Sequence, residues 1–205
     1  MPCIQSRTDL YHNSRYVLDI AKAAQETDID GIFVTDMDMC GVDIAREHLT
    51  TAIIGGFSAN AYTALALGRK FSIITILDNV VDMQMEHIYS HALTDRFASV
   101  RVAHAPVSEL LDNSQATLDR VFQEAQTAIE TDGAQALILG CTGFIGIADQ
   151  VRKRLLAKNI DVPVLDPNRV AMSFLQHMVL NGLYQSKRTY MPLASEPTLT
   201  TRDHG

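Results

Sequence analysis

The sequence alternates short apolar, β-branched runs with longer segments of helical periodicity, and this alternation is what most restricts the fold. The short runs have the length of buried strands, and the longer segments can each cover one face of a sheet. The predicted strands cover residues 32–35, 52–54, 71–77, 136–139 and 162–165. The predicted helices cover residues 16–25, 59–67, 115–130, 145–157 and 169–181. This order is typical of an α/β protein with parallel strands.

The same order of elements occurs twice along the chain. In each half a helix leads into an Asp-Gly pair, ending at Gly31 or Gly133, and then into a strand. That strand ends at Asp36 in the first half and at Cys141 in the second. A helix, a short strand and another helix follow in both. We interpret the repetition as two homologous halves.

The repetition predicts two pseudo-symmetric lobes, each a parallel sheet flanked by helices, with the functional site between them. We place the lobes at residues 1–110 and 111–192, with a crossover of the chain near the carboxyl terminus. The polar stretch at 193–205 is expected to be disordered. Open parallel sheets bind ligands beyond the carboxyl ends of their strands. Asp36 and Cys141 should therefore face one small molecule from opposite sides.

The tetrapeptide Gly140-Cys141-Thr142-Gly143 carries the strongest chemical signal. Its glycines permit a sharp turn and close approach of a ligand. A helix N-terminus directly after the turn would offer N–H groups and a positive dipole end, surroundings in which a thiol ionises readily. Cys141 is thus a candidate acid/base. The competing interpretation is a buried cysteine that serves as a small apolar side chain.

Two parts of the chain resemble a known family. Residues 132–190 contain DGAQALILGCTG, VPVLDPN and GLYQSKRTY, and this segment is similar to the carboxyl-terminal half of the aspartate/glutamate/hydantoin racemase superfamily. The upstream strings DGIFVTDMDMCGVDIARE and AIIGGFSANAYTALALGRKFSIITILD resemble its amino-terminal half, closest to the hydantoin and allantoin racemase branch. The resemblance covers most of residues 14–192.

The resemblance implies a cofactor-independent racemase or epimerase of the two-base type, acting on a hydantoin-like compound or an acidic amino acid. One group removes a proton from the stereogenic carbon, and the other returns one to the opposite face. Cys141 and Asp36 are the implied acid/base residues. The implied substrate contacts are Thr35, Ser58, Thr142, Gly143 and Asp166. No metal, nucleotide or pyridoxal phosphate is implied.

This sequence departs from the family pattern at the second base. Asp36 stands where the cysteine-pair members carry their amino-terminal cysteine. A carboxylate is a weak base unless burial or a neighbouring negative charge raises its pKa, and a thiolate at Cys141 could supply that charge. Cys40 and Asp38, in the following loop, remain alternatives for the second base.

A second departure concerns the beginning of the chain. Family members usually start with a strand that ends in an Asn-Pro-Asn-like loop, and the printed sequence begins after it. We therefore expect an open sheet edge in the first lobe, covered by another chain or by residues 1–10.

Two other functions stay open at this stage. An arylmalonate-type decarboxylase of the same superfamily needs only one cysteine as proton donor. A non-catalytic binding or accessory protein would need neither base. A carboxylate at Asp36 would repel a malonate-like dianion, so racemisation is favoured over decarboxylation.

Composition excludes several classes of partner. With 17 Lys and Arg against 24 Asp and Glu, the net charge is −7, which disfavours nucleic acid. The sequence contains no apolar stretch long enough for a signal peptide or a membrane span. Its three cysteines form no CxxC pair, which predicts a reducing, cytoplasmic location.

We also expect a homo-oligomer. His87 and His91, one helical turn apart, are expected on a solvated helix face rather than at a metal.

Overall fold

The computed structural model describes residues 4–105 and 115–192. The helices are α1 (Arg7–Gln25), α2 (Val42–His48), α3 (Gly56–Leu67), α4 (Val81–Ser90), α5 (Gln115–Glu130), α6 (Ile147–Ala157) and α7 (Pro167–Leu180). The strands are β1 (Gly31–Phe33), β2 (Ala52–Ile54), β3 (Phe71–Thr75), β4 (Phe97–Val102), β5 (Ala136–Leu139) and β6 (Val164–Leu165).

The strands pair in parallel and form two sheets. β1 pairs with β2 in one sheet, and the other has the order β4-β3-β5-β6. Helices flank both sheets, which confirms the predicted α/β architecture. The sequence pattern missed β4, a half-buried edge strand in which Arg101 interrupts the apolar run.

The boundary between the two sheets falls between β2 and β3 in the chain, and the expected lobe boundary at residue 110 lies outside the described residues. β3 is buried along its whole length, so both of its edges need pairing partners, and β4 and β5 provide them. Near the carboxyl terminus, α7 packs against β1 and β2. Beyond it, Nε2 of Gln185 donates to the carbonyl oxygens of Leu49 at 2.8 Å and Thr51 at 3.0 Å. The carboxyl-terminal part of the described chain thus packs against the first sheet.

The repeated order of elements is visible in the structure. α1-β1-α2-β2-α3 in the first half corresponds to α5-β5-α6-β6-α7 in the second. The correspondence is incomplete at the sheet edges, because β5 pairs with both β3 and β6, whereas β1 pairs with β2 alone in the described part of the chain. Residues 7–10, one expected cover for that edge, belong to α1. Residues 1–3 and the predicted tail at 193–205 lie outside the described residues.

Alternation along β3 and β5 builds the core on both faces of the second sheet. Ile74, Leu137 and Leu139 pack towards α5 and α6, while Ile73 and Ile138 pack in a second cluster with residues of α2 and α3. Every residue of β5 is buried. The strand is therefore a rigid base for the loop that begins at its end. Within the described residues, no helix combines the length and hydropathy needed to cross a bilayer.

Candidate active site

Two loops at the carboxyl ends of β1 and β5 form the walls of one cavity of about 520 Å³. The first loop, residues 34–41, contributes Asp36 and Asp38, and the second, residues 140–146, contributes Cys141 and Thr142. This is the place where open parallel sheets bind ligands. The structure therefore brings the two sequence-predicted acid/base residues to the same cavity.

Hydrogen bonds hold the two loops together beside these residues. Oγ1 of Thr142 donates to the carbonyl oxygen of Thr35 at 2.8 Å. Nδ2 of Asn168, at the start of α7, donates to the carbonyl oxygen of Thr142 at 2.8 Å. Thr35 precedes Asp36 and Thr142 follows Cys141, so the bond between them fixes the spacing of the two walls.

Cys141 is half-buried, and it is one of the residues that line the cavity. The backbone N–H of Gly143 donates to its Sγ at 3.4 Å. An N–H directed at sulfur stabilises negative charge on that atom. The tight turn that creates this contact is closed by the N–H of Phe144, which donates to the carbonyl oxygen of Cys141 at 3.2 Å.

The expected helix N-terminus at Cys141 is not present. α6 begins only at Ile147, after Gly146 in a left-handed conformation with φ of 74°. The electrostatic effect of a helix N-terminus falls off within about one turn, so the dipole of α6 does not act on Cys141 as expected. The backbone N–H of Gly143 stabilises negative charge on the sulfur instead. The difference arises because residues 141–146 form turns, although their apolar spacing continues the period of the helix.

Gly140 is required by packing rather than by conformational freedom. A Cβ atom at this position would lie 2.6 Å from Cγ2 of Ile73 and 3.0 Å from Oε1 of Gln84. Gln84 is buried, and its Nε2 donates to the carbonyl oxygen of Gly140 at 2.8 Å. The side chains of Ile73 and Gln84 therefore fix the position of the peptide group that precedes Cys141.

We expect Gly140→Ala to lower the free energy of unfolding by about 1–3 kcal/mol, because the added methyl group overpacks a stiff strand. Chemical denaturation monitored by circular dichroism measures the change. Ser90→Ala, on the exposed end of α4, is the control and should leave the free energy within about 0.5 kcal/mol. Equal stability of the Gly140 variant and the wild type would contradict the packing argument.

Asp36 is held by the backbone of its own loop. Its Oδ2 accepts the N–H of Cys40 at 2.9 Å. Burial raises the pKa of this carboxyl, while the N–H groups of Cys40, Asp38 and Met37 oppose the rise. The balance makes Asp36 a stronger base than an exposed aspartate.

Asp38 is more deeply buried, with 7% of its surface exposed. Its Oδ1 has no hydrogen-bond partner within residues 4–105 and 115–192. Burial, followed by the negative charge of Asp36, raises the pKa of Asp38 to about 8. The charge of Asp36 thus acts on Asp38, whereas the pKa of Asp36 itself is raised by burial.

The alternative thiol, Cys40, also lines the cavity, and its sulfur is engaged by α1. Its Sγ donates to the carbonyl oxygen of Leu10 at 3.6 Å and lies 3.7 Å from Oγ of Ser14. Burial raises the pKa of this thiol, and the carboxylates of Asp36 and Asp38 raise it further, against the bond to Ser14. Cys40 is thus a poorer candidate for the second base than Asp36.

The histidine pair on α4 does not form a solvated face, and that expectation was wrong. The ring of His87 stacks against Phe57 with centroids 4.9 Å apart, and His91 packs on the same ring at 5.3 Å. Burial lowers the pKa of His87, and a hydrogen bond to the backbone of Asp38 opposes the change. The apolar spacing of α4 around the histidines could have indicated this packing. Within the described chain, no three potential ligands cluster as a metal site would require.

Two of the predicted substrate contacts lie elsewhere. Ser58 is in the first turn of α3 and is not among the described residues that line the cavity. Asp166 caps α7, where its Oδ1 accepts the N–H groups of Asn168 and Arg169 at 3.0 and 3.1 Å. Thr35, Thr142 and Gly143 do line the cavity.

The contribution of α1 to the cavity was not predicted from the sequence. Asn13 and Val17 line the cavity, and Asn13 is buried with its Nδ2 bonded to the carbonyl oxygen of Asp9 at 2.8 Å. The signal was the spacing of Leu10, Asn13, Val17 and Ala21, which places them on one face of the helix. A polar residue within such a face indicates a site rather than a plain core.

The fold and the cavity define an α/β protein in which Asp36 from the first half and Cys141 from the second line one cavity. Comparison with known proteins identifies its family. Residues 1–175 match the model of the Asp/Glu/hydantoin racemase family. The chain belongs to this family, which confirms the resemblance noted in the sequence.

Hydantoin racemases and allantoin racemases are among the proteins to which the chain is similar. The chain is 28% identical over 188 residues to a hydantoin racemase from Pseudomonas sp. strain NS671, covering 91% of this chain and 74% of that protein. The structure of allantoin racemase from Pseudomonas fluorescens superposes with a TM-score of 0.88 at 28% identity, covering 96% of this chain and 82% of that one. Allantoin racemase from Klebsiella pneumoniae gives a TM-score of 0.88 at 25% identity, with coverages of 98% and 80%.

Proposed function

We propose that the protein is a cofactor-independent racemase or epimerase in which Asp36 and Cys141 act on opposite faces of one stereogenic carbon. The observation that carries the proposal is their position in the walls of a single cavity, on loops joined by the bond from Thr142 to Thr35. Membership of the racemase family and the similarity to hydantoin and allantoin racemases support it.

The reaction balances with these two groups alone. The carboxylate of Asp36 takes the proton from the stereogenic carbon, and the electron pair moves to an adjacent carbonyl oxygen to give an enolate. The thiol of Cys141 then gives its proton to the opposite face of that carbon. The turnover leaves Asp36 protonated and Cys141 as thiolate, which is the state required for the reverse direction.

The enolate needs donors that are in place before the proton moves. The hydroxyl of Thr35 and the backbone N–H of Thr142 are the proposed donors, since both residues border the cavity. The proposed role of Gly143 is to stabilise the thiolate of Cys141, because its backbone N–H donates to the sulfur.

The charge of the cavity favours a neutral substrate. No Lys, Arg or His stands among its lining residues in the described part of the chain, whereas two carboxyl groups do. A free acidic amino acid would bring further negative charge into this wall without a cation to pair with it. Among the compounds that the sequence suggested, a hydantoin or allantoin therefore fits better than glutamate or aspartate.

Hydrogen exchange tests the function. We expect 5-substituted hydantoins or allantoin, incubated with the enzyme in deuterated water, to lose the signal of the stereogenic hydrogen in NMR while their optical rotation decays. Glutamate and aspartate, at the same concentration, should exchange far more slowly. A folded protein that exchanges none of these compounds would favour the non-catalytic alternative, and release of carbon dioxide from substituted malonates would favour a decarboxylase.

The assembly and location are further proposals. We propose a homo-oligomer in the cytoplasm, and light scattering coupled to size-exclusion chromatography measures the first of these. A monomer at micromolar concentration would contradict it.

A further inference from the structure

One wall of the cavity places two carboxyl groups together without a cation. Asp36 and Asp38 are two residues apart in the loop after β1, and both line the cavity. The salt bridges of the described chain involve other acidic residues. Buried carboxylates are normally paired with a positive group, so this arrangement calls for a physical explanation.

The donors in the loop are distributed unequally between the two carboxyls. Asp36 accepts the N–H of Cys40 and faces the N–H groups of Met37 and Asp38. Asp38 has a buried oxygen, Oδ1, without a partner in the described chain. The loop therefore stabilises negative charge on Asp36 and leaves Asp38 in surroundings that suit a protonated acid.

The other titratable groups around the pair do not neutralise it. Cys40 packs towards α1 through Leu10 and Ser14, and Cys141 faces the pair from the second loop. From α4, the ring of His87 reaches the backbone of Asp38, but burial lowers the pKa of this histidine. Two neighbouring carboxylates in such a site cannot both be ionised near neutral pH, so they hold one proton between them.

We propose that Asp38 is a positioning residue that holds the single proton of the pair and thereby leaves Asp36 ionised as the base that faces the substrate. The catalytic consequence rests on the proposed function, whereas the shared proton is a property of the resting protein. When Asp38 also ionises, its negative charge stands beside that of Asp36 and opposes the formation of a further anion in the cavity.

The shared proton is tested by infrared difference spectroscopy of the carboxyl groups during a pH titration, without substrate. We expect the wild type to show a buried carboxyl that ionises near pH 8 and Asp38→Asn to lack it. In Asp36→Asn the remaining step should move down by about one pH unit or more, because the neighbouring charge is gone. Asp19→Asn, which removes an exposed carboxyl from α1, is the control and should keep the wild-type titration.

Two results of this titration would overturn the inference. One is a wild type in which no buried carboxyl ionises near neutral pH. The other is an Asp36→Asn variant in which Asp38 titrates as before, since the two groups would then be independent. Neither result depends on finding a substrate.

The pH profile of racemisation tests the catalytic consequence. We expect racemisation by the wild type to slow as the pH rises through about 8, where Asp38 ionises, and Asp38→Asn, whose side chain stays neutral, to keep its rate over that range. A variant that slows over the same pH range as the wild type would contradict the proposal, and a variant that is slower at every pH with an unchanged profile would show a merely structural role. A wild type with coupled carboxyls but no racemisation would instead reject the proposed function.

Discussion

Replacement of Cys141 by serine is expected to lower the rate of racemisation by about 10²- to 10⁴-fold in both directions. The serine hydroxyl fits the space of the thiol and can accept the N–H of Gly143, which now bonds to sulfur at 3.4 Å. It neither gives nor takes a proton readily near neutral pH. Each turnover uses one group on each face of the substrate, so loss of one group stops conversion of both enantiomers. Polarimetry that starts from each pure enantiomer measures the effect.

The matched control is Cys40→Ser, which exchanges the same atoms in the opposite loop. The sulfur of Cys40 is bonded to the carbonyl oxygen of Leu10, and a hydroxyl can make that bond. We expect this variant to keep most of the activity and the wild-type circular dichroism spectrum. Racemisation that survives in Cys141→Ser but is lost in Cys40→Ser would assign the essential thiol to the first lobe.

The placement of Asp36 and Cys141 at one cavity could be predicted because each position follows directly from a local pattern. β5 is a continuous apolar run that ends at glycine, and the next residue of such a strand must stand at the ligand-binding edge of a parallel sheet. The repeat then pointed to Asp36 at the end of β1. Neither step needs knowledge of which strands pair with which.

Features that depend on long-range pairing were not accessible in the same way. The allocation of β3 and β4 to the second sheet follows from the burial of both edges of β3, which no local pattern shows. The contact between the segment after α7 and α2 is a second example. Nζ of Lys187 donates to the carbonyl oxygen of Arg46 at 2.7 Å and joins this segment to α2.

The pKa of the second base shows why sequence alone could not settle the chemistry. The sequence identified the difficulty, namely that an ordinary aspartate is a poor base. Its resolution depends on burial and on the absence of a cation from the described cavity wall, and both are properties of the folded loops. Asp38 had only a weak claim in the sequence, because its side chain could equally have faced solvent.

The complementary variant, Asp36→Asn, is expected to separate hydrogen exchange from racemisation. The amide has the shape of the carboxyl group but cannot take the proton of the substrate, so racemisation should fall by about 10²- to 10⁴-fold. Cys141 can still remove a proton from its own face and return a deuteron there. The variant should therefore exchange the stereogenic hydrogen of one enantiomer with retention of configuration and leave the other enantiomer unlabelled.

Cys141→Ser should show the opposite preference, because Asp36 is then the remaining base. Mass spectrometry of each pure enantiomer in deuterated water, corrected for the buffer blank, measures both patterns, and Asp19→Asn is the control for loss of an exposed carboxyl. If both variants labelled the same enantiomer, the two groups could not stand on opposite faces of the substrate. If Asp36→Asn still racemised, the second base would have to be another group of the same loop, and Cys40→Ser in the Asp36→Asn background would then identify it. Opposite selectivity in the two variants is thus the result that only a two-base site shared between the lobes can give.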